Sequence, residues 1–273
     1  VSPNQKRKRL QVFWYFGYGS NMDLVSLRAK GVSPHRSVKA RLTGWRLRFN
    51  VRHFFNHEGG VGNIEPTGDS HDHVLGVLHL CEDSELAPLD DTEAYGHGYD
   101  RILIRVETAE GEQTALTYVG MPSFIDERCL PTRRYINILL QGARRAELDA
   151  DYIGGLQRHP LHQKRAVPPF APPPGEFPVF DAKTLAAHPL YTALDGAVFD
   201  MSAAREQHEF LKGFFGGRDM TLFHLKRLDG SDGSETFDDV RLCRYTPTQR
   251  LYLDEYLHEY GVEYRYVGSY RYE

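Results

Sequence analysis

The chain has 273 residues, a formal net charge of −4 and three cysteines. That length permits one large or two small domains, and the weak charge gives no bulk reason to expect a nucleic-acid partner. Cys81, Cys129 and Cys243 are widely spaced and fit a reducing compartment better than a disulfide framework. No apolar run reaches membrane-span length and no secretory hydrophobic region is visible, so no membrane span and a cytoplasmic location are expected. The dense basic run Lys6–Arg9 reads as a solvated arm.

Val12 to Phe16 reads as a buried first strand. It ends in Gly17-Tyr18-Gly19-Ser20-Asn21-Met22, a turn able to present several backbone N–H groups to one anion. The long spacing and the lysine of a phosphate loop are absent, so a carboxylate is the better match. Residues 22–29 are helix-like. Alternation at Leu42, Trp45, Leu47 and Phe49 predicts one strand over 39–50, and 74–80, 101–107 and 113–120 read as further strands. An acidic helical segment spans 84–95, and 132–158 reads as one or two helices packed against the sheet.

Five prolines between Pro168 and Pro174 interrupt the chain. Such a run forms neither helix interior nor central strand. It predicts a first domain over 10–160, a linker over 161–177 and a second domain over 178–273. In the second, Phe177–Phe180 reads as a short strand. Asp181 caps a helix through His188, and Asp195-Gly196 turns between two short strands. Tyr252, Tyr256, Tyr260 and Tyr264 recur at spacing four and mark one helical face, better suited to packing than to stacking bases.

Several residues could carry chemistry. Glu93 closes the acidic segment beside Tyr95 and Tyr99, and burial there would raise its pKa into the range of a proton shuttle. From charge pattern alone, a surface glutamate beside Asp90 and Asp91 is the plainer reading. Arg101 suits either a substrate carboxylate or an ion pair with Glu93 or Asp100. His53 and His57, and His71 and His73 with Asp69 and Asp72, sit in loop-like contexts that argue against a metal site. Ser20 has no histidine at a useful spacing for nucleophilic catalysis.

The ordered set Tyr18–Asn21, Asn63-Ile64-Glu65-Pro66, Leu75–Leu78, Leu89–Glu93, Tyr99-Asp100-Arg101 and Tyr135-Ile136-Asn137 resembles the gamma-glutamylcyclotransferase family over roughly residues 12–160. The resemblance implies an α+β fold with a small mixed-sheet, barrel-like catalytic domain. It also implies that Glu93 is the acid/base and that a gamma-glutamyl group is cyclised to 5-oxoproline with release of an amine. Tyr18, Gly19, Ser20, Asn21, Met22, Arg101 and Tyr135 then become the substrate-binding candidates. The partner is a small gamma-glutamyl molecule, no cofactor or metal is required, and a homodimer is compatible. One departure is Ala94, where the family usually has glycine; an ordinary helical backbone is expected there.

Residues 193–200 and 215–219 resemble a cytochrome b5-like domain of the membrane-associated progesterone-receptor type, a small α+β fold over about 178–230. The haem-ligand segments of that fold are missing. His208 and His224 are the nearby histidines, and the bulky Phe210, Phe214 and Phe215 imply a filled core without haem. Two other readings stay open: a non-catalytic two-domain binding protein, and an amide-forming or amide-cleaving relative on the same fold.

Overall fold

A computed structural model describes residues 11–273; the basic run Lys6–Arg9 lies outside them. Alternation sets the first layer. In β1 (Val12–Gly17), Phe16 points into one cluster with Leu42, Val74, Leu78 and Val106, while Tyr15 points to the other face with Leu27, Leu89 and Tyr118, as the period of two in a strand requires. A 3-10 turn over Ser20–Met22 leads to α1 (Leu24–Ala29), capped by the Asp23 side chain.

Then come β2 (Arg36–Thr43), β3 (Trp45–Arg52), β4 (Gly60–Pro66), β5 (His73–Glu82), α2 (Leu86–Glu93), β6 (Tyr99–Thr108) and β7 (Gly111–Gly120). β1, β5, β2, β6 and β7 close a barrel in that order, with β1 and β7 meeting in parallel. The single strand expected over 39–50 is two. Gly44, at φ +80°, breaks it, leaving β2 in the barrel and sending β3 into a separate hairpin with β4. Alternation continues through such a break, so periodicity alone did not reveal it. α3 (Arg133–Arg145) and α4 (Ala150–Gln157) then pack Ile136, Leu139, Leu140 and Leu156 against Phe49 and Val77.

Residues 160–173 carry no helix or strand. Beyond them lie β8 (Val179–Phe180), α5 (Ala182–Ala186), β9 (Tyr191–Leu194), β10 (Ala197–Asp200), α6 (Glu209–Phe215), β11 (Arg218–Asp219), α7 (Thr221–Leu225), α8 (Phe237–Arg241), α9 (Pro247–Glu263) and β12 (Arg265–Tyr270). The strands form one sheet in the order β11-β9-β10-β12-β8. Asp195 and Gly196 both have positive φ, as a two-residue hairpin turn demands.

The two halves share a core. The tip of the β3–β4 hairpin inserts Phe55, 2% exposed, among Phe215, Tyr256 and Tyr260 of the C-terminal half. Glu58, fully buried beside it, accepts from Arg134 Nε at 3.0 Å and from Tyr256 Oη at 2.9 Å. Asn137 Nδ2 donates to Asp229 at 2.6 Å. The connecting segment is itself pinned, with Phe170 packed on Phe199 and Tyr266. Among the described residues, no helix is long and apolar enough to cross a membrane.

Candidate active site

The end of β1, the Ser20–Met22 turn, β4, the end of α2, the start of β6 and the first turn of α3 converge on one small cavity of about 30 Å³. Its wall includes Tyr18, Gly19, Ser20, Asn21, Gly62, Glu93, Tyr99 and Tyr135. Gly19 and Gly62 sit where side chains do not fit: a Cβ on either would lie 2.8 or 2.9 Å from Tyr135 Oη. Both glycines let the backbone close around that phenol.

Glu93 is fixed by polar neighbours on one oxygen. Its Oε1 accepts from Lys30 Nζ at 2.7 Å and from Asn21 Nδ2 at 2.9 Å. Asn21 is oriented in turn: Nδ2 donates to Tyr15 Oη at 2.6 Å, and Oδ1 accepts from Lys30 Nζ at 2.7 Å. Oε2 has no hydrogen-bond partner among the described residues, which leaves one carboxylate oxygen for whatever enters the cavity. The expected rise in the Glu93 pKa is not what the structure gives. Burial does oppose its charge, but Lys30 beside it and the Lys30 and Asn21 hydrogen bonds win, and the pKa is lowered. Burial lowers the Lys30 pKa too, against the pull of Glu93. Glu93, lowered from an already acidic ordinary value, is ionised at neutral pH.

The loop is held from behind. His79 Nε2 lies 2.9 Å from the Asn21 carbonyl oxygen and Nδ1 lies 2.8 Å from Ser37 Oγ. A carbonyl can only accept, so the proton sits on Nε2. Burial lowers the His79 pKa to about 4, which keeps the ring neutral. The turn uses the Met22 and Asp23 N–H groups internally, on Gly19 and Ser20 oxygens. The Gly19 and Asn21 N–H groups have no partner among the described residues.

Tyr135 Oη accepts the Gly62 N–H at 2.9 Å. Burial pushes its pKa up to about 12, against backbone hydrogen bonds from Gly62 and Ser20. A phenol that accepts two N–H groups still has its own proton to donate.

The remaining candidates fall elsewhere. Tyr18 lines the cavity by its ring, while its hydroxyl donates to the Tyr118 carbonyl at 2.6 Å. Met22 is 3% exposed and packs in the α3 core. Arg101 does not line this cavity; it pairs with Asp90 at 2.6 Å rather than with Glu93, and its guanidinium lies 4.6 Å over the Tyr95 ring. Ala94 is not in an ordinary helical backbone. It caps α2 in the left-handed region at φ 51°, ψ 48°, which explains why glycine suits this position. Among the described residues, no cluster of three histidine, cysteine or acidic side chains is placed to hold a metal ion. Lys30, Tyr15, Gly62 and His79 were not selected by sequence reasoning. Each is a lone residue of ordinary type, distant in sequence from Glu93.

Residues 73–156 match the family described as AIG2-like, and the N-terminal region resembles AIG2-like and gamma-glutamyl cyclotransferase proteins. A gamma-glutamyl cyclotransferase of Aspergillus oryzae, aclK, is 28% identical over 183 residues, covering 59% of this chain and 66% of its own length. The chain thus spans just under two thirds of that curated relative. Two solved structures are each 25% identical and cover 57% of this chain and 93% of their own: an uncharacterised Homo sapiens protein, with a TM-score of 0.50, and a gamma-glutamyl cyclotransferase, with a TM-score of 0.51.

Proposed function

We propose that the protein is a gamma-glutamyl cyclotransferase that converts a gamma-glutamyl amide to 5-oxoproline and a free amine. The observation that carries this reading is the Glu93 carboxylate, ionised and held on one oxygen by Lys30 and Asn21, beside a small cavity that Tyr18, Gly19, Gly62 and Tyr135 also line. The alpha-nitrogen of the substrate attacks its own gamma-carbonyl carbon, and the bond from that carbon to the departing nitrogen breaks. The alpha-ammonium gives up two protons and the departing amine takes up two, so a relay suffices and no net proton is needed. Glu93 Oε2 is that relay. Its lowered pKa fits a group that starts ionised and passes each proton on rather than storing it. The free Gly19 and Asn21 N–H groups and the Tyr135 O–H are donors for the substrate carboxylate and for charge developing on the carbonyl oxygen. Holding amine and carbonyl in one small cavity supplies further rate through proximity.

The C-terminal half fits a supporting role. A b5-like fold remains the reading of its 193–200 and 215–219 pattern, without haem. Both histidines are engaged, His208 Nδ1 with Tyr264 Oη at 2.8 Å and His224 Nε2 with Tyr260 Oη at 3.0 Å, and Phe55 fills the space between them. The test is incubation with a panel of gamma-glutamyl amino acids, gamma-glutamyl amines and glutathione, with detection of 5-oxoproline. Formation from at least one member is expected, and none from any member would overturn the proposal.

A further inference from the structure

Tyr15 lines the Glu93 cavity and is only 4% exposed. Strand pairing fixes its backbone, opposite His79 of β5 and Leu116 of β7. Its ring stacks on His79, with centres 6.1 Å apart, and meets Tyr118 edge-on at 5.9 Å. The hydroxyl is thus the polar end of a rigidly held side chain, and it meets the Asn21 amide.

The direction of that hydrogen bond decides where the Tyr15 proton points. Asn21 Oδ1 accepts from Lys30 Nζ at 2.7 Å, which turns the amide nitrogen the other way. That nitrogen has two hydrogens. One goes to Glu93 Oε1 at 2.9 Å and the other to Tyr15 Oη at 2.6 Å. The phenol oxygen is therefore an acceptor here, and its own hydrogen is left over. Among the described residues nothing accepts it. Glu93 Oε1 is taken by Lys30 and Asn21, and the Tyr118 hydroxyl donates to Asp90 at 2.6 Å. An unused buried donor is costly, so one that persists beside a reactive carboxylate calls for an explanation. Burial first, and then Glu93, raise the Tyr15 pKa well above 10, against the Asn21 hydrogen bond. The phenol keeps its proton. Tyr15 can donate a hydrogen bond but is no acid or base for the reaction.

The chemistry selects the substrate atom that this donor meets. Glu93 Oε2 has to serve both the attacking and the departing nitrogen, and in the tetrahedral adduct both are bonded to the gamma-carbonyl carbon. The oxygen on that carbon gains negative charge as the ring closes. Tyr15 Oη is separated from Glu93 by a single amide nitrogen, so its donor belongs to the reacting end of the substrate. The alpha-carboxylate carries the same charge as Glu93 and is better met by the Gly19 and Asn21 N–H groups. We infer that the Tyr15 hydroxyl donates to the gamma-carbonyl oxygen and stabilises the charge that develops there, as a donor already desolvated and fixed in place. This role rests on the cyclotransferase reading.

Two replacements separate the donor from the acceptor. Tyr15→Phe removes both, whereas replacing Tyr15 by 3-fluorotyrosine strengthens the donor and weakens the acceptor. On the panel substrate turned over fastest, Tyr15→Phe should lower kcat by about 10²–10³ with KM within about threefold of wild type. The fluorotyrosine protein should match or exceed wild type. A kcat in Tyr15→Phe within about threefold of wild type would overturn the inference. So would a fall with fluorotyrosine, which would leave Tyr15 only the task of holding Asn21. Infrared spectroscopy reads the contact without turnover, through 5-oxoproline labelled with carbon-13 at its lactam carbonyl, the former gamma-carbonyl. The bound stretch should lie lower in wild type than in Tyr15→Phe and lower still with fluorotyrosine, and equal frequencies would overturn the inference. Where the Phe variant does not fold, wild type against fluorotyrosine decides. If no panel member yields 5-oxoproline, the cyclotransferase proposal fails by itself and the stretch decides this one. A shift that depends on Tyr15 supports the donor; no shift, or no binding, overturns it.

Discussion

Replacing Glu93 by glutamine perturbs chemistry and stability together. Lys30 Nζ lies 2.7 Å from Glu93 Oε1, with side-chain exposures of only 4% and 14%. Glutamine keeps the shape and still offers an amide oxygen, and Asn21 Oδ1 stays in place. What disappears is the countercharge. Stranding one member of a buried pair costs on the order of 3–5 kcal/mol. Lys30 has an escape, because burial already lowers its pKa and loss of its proton caps the penalty. We expect a loss of about 2–4 kcal/mol at neutral pH, a fall in Tm of roughly 5–15 °C for a chain of this size. The sign of the pH dependence follows. The unfolded lysine titrates near its ordinary 10.5 and the folded one below it, so between the two values the unfolded state holds the extra proton and stability rises with pH. Glutamine at 93 depresses the folded value further. The Tm deficit should therefore shrink as pH rises toward the ordinary lysine value of 10.5. Circular-dichroism melts across that range read the stability, and 5-oxoproline release reads the chemistry, which should fall by about 10²–10⁴. Wild-type Tm at every pH would refute the buried-pair argument. Wild-type turnover would refute the assignment of Glu93 as the relay.

Other outcomes follow from the same geometry. Phe55→Ala should cost about 3–5 kcal/mol, because the ring fills the core of the opposite half; a change under about 1 kcal/mol in chemical denaturation would mean that core collapses around the gap. Buried Glu58 is opposed by burial but held well below the ordinary carboxylate range by Arg134, His57 and His53. Its contribution is thus complete above the unfolded carboxylate pKa and drains as pH falls through the lower folded value. Glu58→Gln should flatten the acid limb of the stability curve, and an unchanged limb would contradict the pairing. Ala94→Gly trades a left-handed alanine, roughly 1 kcal/mol, against one buried methyl, about 0.8 kcal/mol. Its Tm should stay within a few degrees of wild type, and a large fall would mean the cap geometry is wrong. Limited trypsin digestion should cut first near Lys164 and Arg165, in the segment without helix or strand; first cuts within 190–225 would contradict the packing described for the C-terminal half.

Tyr18 to Asn21 are contiguous in one turn, so local pattern marks them together as a candidate. Glu93, which lines the same cavity, reads as a surface glutamate by charge pattern, and only the family resemblance singled it out. What pattern missed depends on contacts between distant segments. Lys30 follows a short helix and has no feature marking it as the partner of a residue 63 positions later. Its proximity reverses the expected direction of the Glu93 pKa. Ala94 looks helical by propensity, and only the chain path through Tyr95 and Gly98 forces it left-handed. The alternation of 39–50 does not register the reversal at Gly44. The proline-rich segment, read as a linker between domains, says nothing of Phe55, which joins the two sides across it.

The Phe55 insertion has a consequence for biosynthesis. Translation delivers the barrel and its hairpin before the residues that will enclose Phe54 and Phe55 exist. Until α9 leaves the ribosome, more than 180 residues later, the hairpin tip presents two adjacent aromatic rings and the carboxylate of Glu58 to solvent. Such a nascent chain carries a sticky knob at its surface, of the kind that chaperones bind and that seeds aggregation when synthesis stalls. A fragment ending near residue 160 would keep that knob permanently, so expressing the barrel alone should yield material that associates with itself unless the tip is made polar.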